Sequence, residues 1–342
     1  MATDLSQTTR ELHVRSLADQ VYLRMPFLED LQRRRQITYK GGKYIDRLVD
    51  TDEIDDLGQD YTENEPLTDG KKDTLEKPYF HWKKSQLPLR YGVDEELQNV
   101  HAMSEIQLLD LSKHLVEKGH RGVRLRLMKQ LFNEASTTAV ADGGQKFQSL
   151  VSALDHDNTY GHLSRSWSSG TNDWWQGADP AALNQNVSTS AQDTEYPLTK
   201  NNLRKWINES DIMHHMENED DLYIMMCPTL WDKLAAEMES AIRGYTPHDH
   251  QRQGIKKLDF DGHQVVSVPY LQQSSTTRTW LFILNMKYWE LRIHSNRKFN
   301  MTPFKWQGDR INGYDCWLAR ILWAGNFVCW KPNSSMWMSN VV

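Results

Sequence analysis

Histidines and carboxylates lying close together are the side chains here best suited to chemistry, and they occur at Asp155-His156-Asp157, His214-His215 and His248-Asp249-His250. An imidazole beside a carboxylate has the parts of an acid–base pair, and two histidines with an aspartate offer donors to a transition metal. Neither chemistry is completed by the pattern. Chain neighbours rarely converge on one ion without a turn, no third ligand follows at a recognisable spacing, and no nucleophile accompanies Asp155 to Asp157. A metal-dependent hydrolase using His214, His215, His248 and His250 is the enzymatic reading that remains open, and a polar turn is the simpler one. The acidic run Asp50 to Asp56 puts Ile54 where a calcium loop needs an oxygen and Asp55 where it needs glycine. Gly41-Gly42-Lys43 lacks the earlier glycine and the following hydroxyl of a P-loop. There is no dinucleotide G-x-G-x-x-G, no G-x-S-x-G elbow and no H-E-x-x-H pair. The sequence therefore predicts no catalytic residue, no cofactor and no metal ligand.

Two basic clusters could meet phosphate: Arg33, Arg34 and Arg35, and then Arg121, Arg124 and Arg126 with Lys129. With 40 Lys and Arg against 46 Asp and Glu, the net charge is -6, so any contact with nucleic acid must be local. Two readings of these arginines stand side by side: phosphate contact on an inner surface, or a solvated face that pairs with the chain's own carboxylates. Cys227, Cys316 and Cys329 form no C-x-x-C pair and are odd in number, which predicts reduced thiols. The first residues lack the basic, apolar and small-residue order of a secretory signal, and no apolar run approaches the roughly 18 residues that would span a bilayer. A soluble product made inside the cell, with no membrane partner, is expected. Thirteen Trp against nine Phe is unusual, and such rings serve cores and subunit interfaces alike.

The elements that must position these residues read as α+β. Residues 9–35 carry apolar positions at helical spacing interrupted by Pro26, predicting two short helices on an arm. Residues 37–92 read as a long, mostly two-stranded hairpin with an acidic tip. Phe80 and Trp82 share one parity while Leu87, Leu89 and Tyr91 share the other, so a bulge or kink is expected between them. A hairpin of this kind is marginal alone in water and needs a partner surface.

Val93 to Glu134 predicts a long helix on the order of 50–60 Å, with Gly119 and Gly122 expected to kink or break it. Residues 141–196 read as irregular surface with short strands. Thr199 then caps a helix to about Glu209, Leu222 to Met226 is a buried strand, and Pro228 opens a helix ending near Arg243-Gly244. Leu258 to Val268 and Trp280 to Leu284 are further strands, and the Trp-rich stretch from Trp289 predicts an antiparallel sheet.

This order, together with particular stretches, resembles the shell subunit of tailed-bacteriophage capsids, whose fold is shared with encapsulins. Ile37-Thr38-Tyr39-Lys40-Gly41-Gly42 is similar to the start of their extended loop, and Leu89-Arg90-Tyr91-Gly92-Val93-Asp94-Glu95-Glu96-Leu97-Gln98-Asn99 to their strand and spine-helix entry. Gly161-His162-Leu163-Ser164-Arg165 with Trp174-Trp175, Cys227-Pro228-Thr229-Leu230-Trp231-Asp232-Lys233-Leu234 and Phe260-Asp261-Gly262 resemble their axial domain. Leu284-Asn285, Trp289 and Trp323-Ala324-Gly325-Asn326-Phe327-Val328-Cys329 resemble the return to their peripheral domain.

The resemblance implies an arm over 1–36, an extended loop over 37–92, a peripheral domain over 93–140 and 286–342 with a spine helix and antiparallel sheet, and an axial domain over 141–285. It implies a non-enzymatic major capsid protein that assembles through hexamers and pentamers, by way of a procapsid, into an icosahedral virion shell around double-stranded DNA. Partners implied are other copies of the chain, a separate scaffolding protein, a portal protein and a decoration protein. Lys71, Phe80, Trp82, Lys83 and Lys84 become the expected inter-subunit contacts, and Arg33, Arg34, Arg35, Arg121, Arg124 and Arg126 the expected DNA-facing residues. An encapsulin-like protein compartment is the alternative within the same fold.

Overall fold

The computed structural model describes residues 26–51, 73–94, 105–132, 146–156, 159–166, 172–178, 196–208, 222–242, 257–274, 277–308 and 314–342. Residues 1–25, the hairpin tip with Lys71, and the His214-His215 and His248 to His250 clusters lie outside them.

The first described helix, Pro26–Arg33, begins on a proline, whose fixed φ suits a first helical turn. It ends on Arg35 at φ 58°, where the amides of Arg35 and Gln36 return to the carbonyls of Gln32 and Leu31 in a Schellman closure usually made by glycine. Phe27, Leu28 and Leu31 are buried, with Phe27 edge-on to Trp289, so this segment of the expected arm packs onto the subunit body.

The chain then forms β1 (Ile37–Lys40), β2 (Ile45–Asp46), β3 (Val49–Asp50), β4 (Leu75–Glu76), β5 (Tyr79–Phe80) and β6 (Lys83–Gly92). Pairing among these corrects the expected hairpin. Only β2 with β5 and β3 with β4 form the two-stranded stalk among the described residues. The outer strands belong elsewhere: β1 runs parallel to β11 (Trp289–His294), and β6 runs antiparallel to β14 (Cys316–Cys329) from Gly92 opposite Cys316 to Lys83 opposite Gly325. The parity switch in the sequence falls at His81 and Trp82, where the chain leaves strand geometry between β5 and β6.

β14 is the axis of the first sheet. It also pairs with β11, with β12 (Asn300–Met301) and with β13 (Lys305–Trp306). Its β-branched and aromatic residues suit a pleated, half-buried surface, and Ile321, Trp323, Phe327 and Val328 are buried. Gly325 allows the close approach of β11, because a Cβ there would lie 2.5 Å from the carbonyl oxygen of Arg292.

The long helix is continuous from Glu105 to Leu131 and packs Val116, Val123, Leu127 and Leu131 into the core. The helix is unbroken through both glycines, which have another use. A Cβ at Gly119 would meet the Leu89 side chain at 2.8 Å and Ile321 at 3.2 Å, and one at Gly122 would meet Leu87 at 3.0 Å. Both glycines therefore let the helix backbone settle against β6 and β14. That close packing is set against the roughly 1 kcal/mol each glycine costs in propensity.

A second sheet has the order β15-β10-β7-β9-β8, with β7 (Leu222–Met226), β8 (Lys257–Phe260), β9 (His263–Ser267), β10 (Leu281–Asn285) and β15 (Met336–Met338). β7 and β10 are buried throughout, as strands covered on both faces must be. Helices Lys200–Ile207 and Pro228–Ile242 belong to this half. Thr199 caps the first by accepting from the Asn202 amide at 3.2 Å. Cys227 precedes the second, its Sγ 3.4 Å from the Leu230 amide, with Pro228 opening the first turn. Asp261 at φ 48° and Gly262 at φ 86° close β8 onto β9 in a tight primed turn, and the Arg204 guanidinium grips the Asp261 carboxylate at 2.7 and 2.9 Å.

After β14 the chain leaves the first sheet, and β15 pairs antiparallel with β10 in the second. One hydrophobic core joins the two sheets. The three cysteines are unpaired and buried, and burial pushes the Cys329 thiol up to about 12, which keeps it neutral and unreactive at ordinary pH.

Candidate functional site

The hairpin stalk is anchored in a dense aromatic knot. Phe80 lies fully buried, edge-on to Tyr160 at 4.8 Å and to Trp330 at 5.8 Å. Tyr160 opens a two-residue turn through Gly161 (φ 60°) and His162 (φ 65°) to Leu163, closed by reciprocal hydrogen bonds of 3.0 and 3.1 Å. Glycine is needed at the first position for space as well as for φ, since a Cβ there would sit 2.9 Å from Phe80 and 3.0 Å from Pro78. The Tyr160 hydroxyl accepts from the Cys329 amide at 2.7 Å, and its carbonyl accepts from Trp175 Nε1 at 2.8 Å.

Arg165, 2% exposed, donates to the carbonyls of Ser152 at 2.7 Å, Ala153 at 2.8 Å and Trp175 at 3.3 Å, and its guanidinium lies over the Tyr160 ring. A buried arginine with this many acceptors fixes backbone that has no sheet partner of its own. Asn326 completes the knot: its Oδ1 accepts from the Gln148 amide at 2.8 Å and its Nδ2 donates to the His81 carbonyl at 3.3 Å.

Away from this foot the stalk thins. β2–β5 and β3–β4 each pair two residues of one strand with two of the other, and Leu48 and Leu75 stand 57% and 62% exposed. Lys77 and Asp46 form an ion pair of 2.7 Å across the stalk, and the Lys77 ammonium holds the Asp46 carboxyl below its usual range. Both partners are solvated, so the pair adds little stability.

The expected contact residues divide. Lys84 is exposed and Trp82 half-buried, its Nε1 donating to the Gly42 carbonyl at 2.9 Å and its ring edge-on to His294. Phe80 and Lys83 are corrections: Phe80 is 0% and Lys83 3% exposed, so both belong to the subunit interior. Lys83 alternates in phase with Ser85, Leu89 and Tyr91 on the inward face of β6, a parity legible in the sequence.

Among the basic residues, Arg33 and Arg34 both pair with the buried Asp30 carboxylate, Arg34 at 2.8 Å. Arg35 is exposed. Arg121 and Arg126 stand on the solvent side of the long helix with Lys118 and Lys129, and Arg126 Nε donates to Ser85 Oγ at 2.8 Å. Nothing of the Arg124 side chain falls within the described residues.

A cleft of about 590 Å³ opens beside the stalk, where Arg35, Lys40, Arg47, Lys287 and Arg292 outnumber Asp46 and Glu290. Burial alone would raise the Glu290 carboxyl, but donors from Thr38 and Trp330 and the Arg292 guanidinium outweigh it and hold the group below its usual range. Among the described residues no group of three or more His, Cys, Asp or Glu could hold a metal ion, and no helix is long and apolar enough to cross a membrane. The missed features are the exposed leucines, which stand out as apolar residues in a polar stretch, and the buried Arg165, for which no local pattern exists.

The chain has the fold of tailed-phage capsid subunits. Over 90% of its length it superposes on 90% of the subunit in the capsid of cyanophage A-1(L), with a TM-score of 0.62 at 11% identity. Over 90% of its length it also superposes on 91% of the subunit in the capsid of Myoviridae phage XM1, with a TM-score of 0.50 at 12% identity. No protein-family model and no curated protein matches the chain.

Proposed function

We propose that this protein is the major capsid protein of a tailed phage, a non-enzymatic subunit that assembles through hexamers and pentamers into an icosahedral shell around double-stranded DNA. One observation carries the reading: a capsid-subunit fold bears a hairpin whose stalk is rooted in the core yet exposes Leu48 and Leu75 where it leaves the body. Such a two-stranded element is marginal in water until another surface covers it, and a neighbouring copy supplies that surface by symmetry. On this reading the first sheet and long helix form the peripheral domain and the second sheet the axial domain. Trp82, Lys84 and Lys71 remain contact candidates, and Arg35, Arg121, Arg124 and Arg126 the DNA-facing ones. A separate scaffolding protein, a portal and a decoration protein are the further partners, and the virion capsid, assembled in the bacterial cytoplasm, is its place.

Expression with its genomic neighbours followed by negative-stain microscopy tests this: closed shells are expected from the intact chain and none after deletion of residues 55–75. Normal shells from the deletion variant would contradict the role of the hairpin. Particles that carry protein cargo and never genomic DNA would replace the phage reading by an encapsulin-like compartment.

A further inference from the structure

Two histidines from separate segments meet at the foot of the hairpin. His81 follows β5 and His162 holds the second position of the Tyr160 turn, and their Nε2 atoms lie 3.3 Å apart. The rings are inclined at 67°, edge to face and not stacked. Each ring is braced: Tyr79 stacks on His162 with centroids 4.0 Å apart, and Tyr44 meets His81 edge-on at 5.1 Å. His162 keeps a left-handed backbone, φ 65°, to stand there.

Two imidazole nitrogens bound at about 2.0–2.1 Å to one tetrahedral ion sit about 3.3–3.4 Å apart. We propose that His81 and His162 form a two-imidazole site for a divalent transition ion such as zinc, nickel or copper, with water filling the remaining positions. Neutral imidazole favours these ions over magnesium or calcium, which take oxygen ligands. No third His, Cys, Asp or Glu is grouped with the pair among the described residues, so the site is open and exchangeable, unlike a closed structural zinc. Its effect is mechanical: the ion ties the end of the hairpin stalk to the turn that already holds Phe80, fixing the angle at which the hairpin leaves the body. The site stands on its own geometry and does not depend on shell assembly.

The test is calorimetric titration of the full chain, stripped with chelator, with zinc and then nickel, comparing wild type with His81→Gln, His162→Gln and the control His101→Gln. The expected result is one ion per chain lost or weakened at least about 10-fold in each of the first two variants and unchanged in the control. A second readout needs no variant: zinc is expected to protect His81 and His162 together from acylation by diethyl pyrocarbonate, read by peptide mass spectrometry. No binding up to about 1 mM zinc, or equal binding in wild type and both pair variants, would overturn the site. The contact would then be a hydrogen bond between the two imidazoles.

Discussion

The stalk from Ile45 to Phe80 and the strand from Lys83 to Gly92 adjoin in sequence and differ in what holds them. β6 pairs along its ten residues with β14 and presses Leu87 and Leu89 against a helix stripped of Cβ atoms at Gly119 and Gly122. The stalk is held by Phe80 and Ile45 at its foot, by an exposed ion pair, and by two short ladders that leave Leu48 and Leu75 in water. Close packing is thus concentrated where the long helix meets β6 and β14, and the outer stalk keeps its leucines in water. Local stability follows buried apolar contact, so the two regions must respond to substitution in opposite ways.

The largest effect is expected at the boundary between them. Phe80→Ala removes the ring that joins the stalk to Tyr160 and Trp330, and is predicted to destabilise the dissociated subunit by about 3–5 kcal/mol in urea denaturation. A loss under 1 kcal/mol would mean that the foot of the hairpin is not part of the core. Gly325→Ala acts on the first sheet, away from the stalk: its Cβ meets the β11 backbone, which cannot turn aside, at a predicted cost of about 2–3 kcal/mol.

Glu290→Gln comes next, at about 1–2 kcal/mol near neutral pH, because its carboxylate is the acceptor for Thr38 and Trp330 beside Arg292. The sign of its pH dependence follows from its lowered folded pKa. The contribution is complete above the unfolded value of about 4.3 and is lost as pH falls through the folded value. Acid unfolding of wild type and of Glu290→Gln should therefore converge as pH falls from the unfolded value through the folded one, and a gap that widens on acidification would refute the assignment. Smallest in stability are Leu48→Asp and Leu75→Asp, each within about 0.5 kcal/mol for the free subunit because both side chains are already solvated. Their effect is reserved for assembly, read as loss of particles in sedimentation.

Much of this contrast is legible in the sequence. Thr199 and Pro228 announce their helices, Leu222 to Met226 reads as a buried strand, and the parity switch at His81 and Trp82 marks the junction of stalk and spine. What is not legible is non-local. Nothing in Ile37 to Lys40 says that it will run parallel to Leu291 to His294, and nothing in Met336 to Met338 says that it will leave the first sheet for the second. Gly119 and Gly122 read as helix breakers because propensity is a local quantity, whereas their use depends on Leu87, Leu89 and Ile321 arriving from other strands. The burial of Phe80 is hidden in the same way: it looks like an exposed hairpin aromatic until Tyr160, Gly161 and Trp330 close around it. The His81–His162 pair joins residues 81 positions apart and has no sequence signature.

Amide hydrogen exchange of the stalk, residues 45–50 and 75–80, compared between dissociated subunits and purified shells, tests the central claim most directly. The account predicts fast exchange at Leu48 to Asp50 and at Leu75 and Glu76 in the free subunit, slow exchange at Phe80 in both states, and strong protection of the outer stalk in the shell alone. Equal protection of the outer stalk in free subunits and shells would show that the hairpin is complete without a neighbour, and would contradict it.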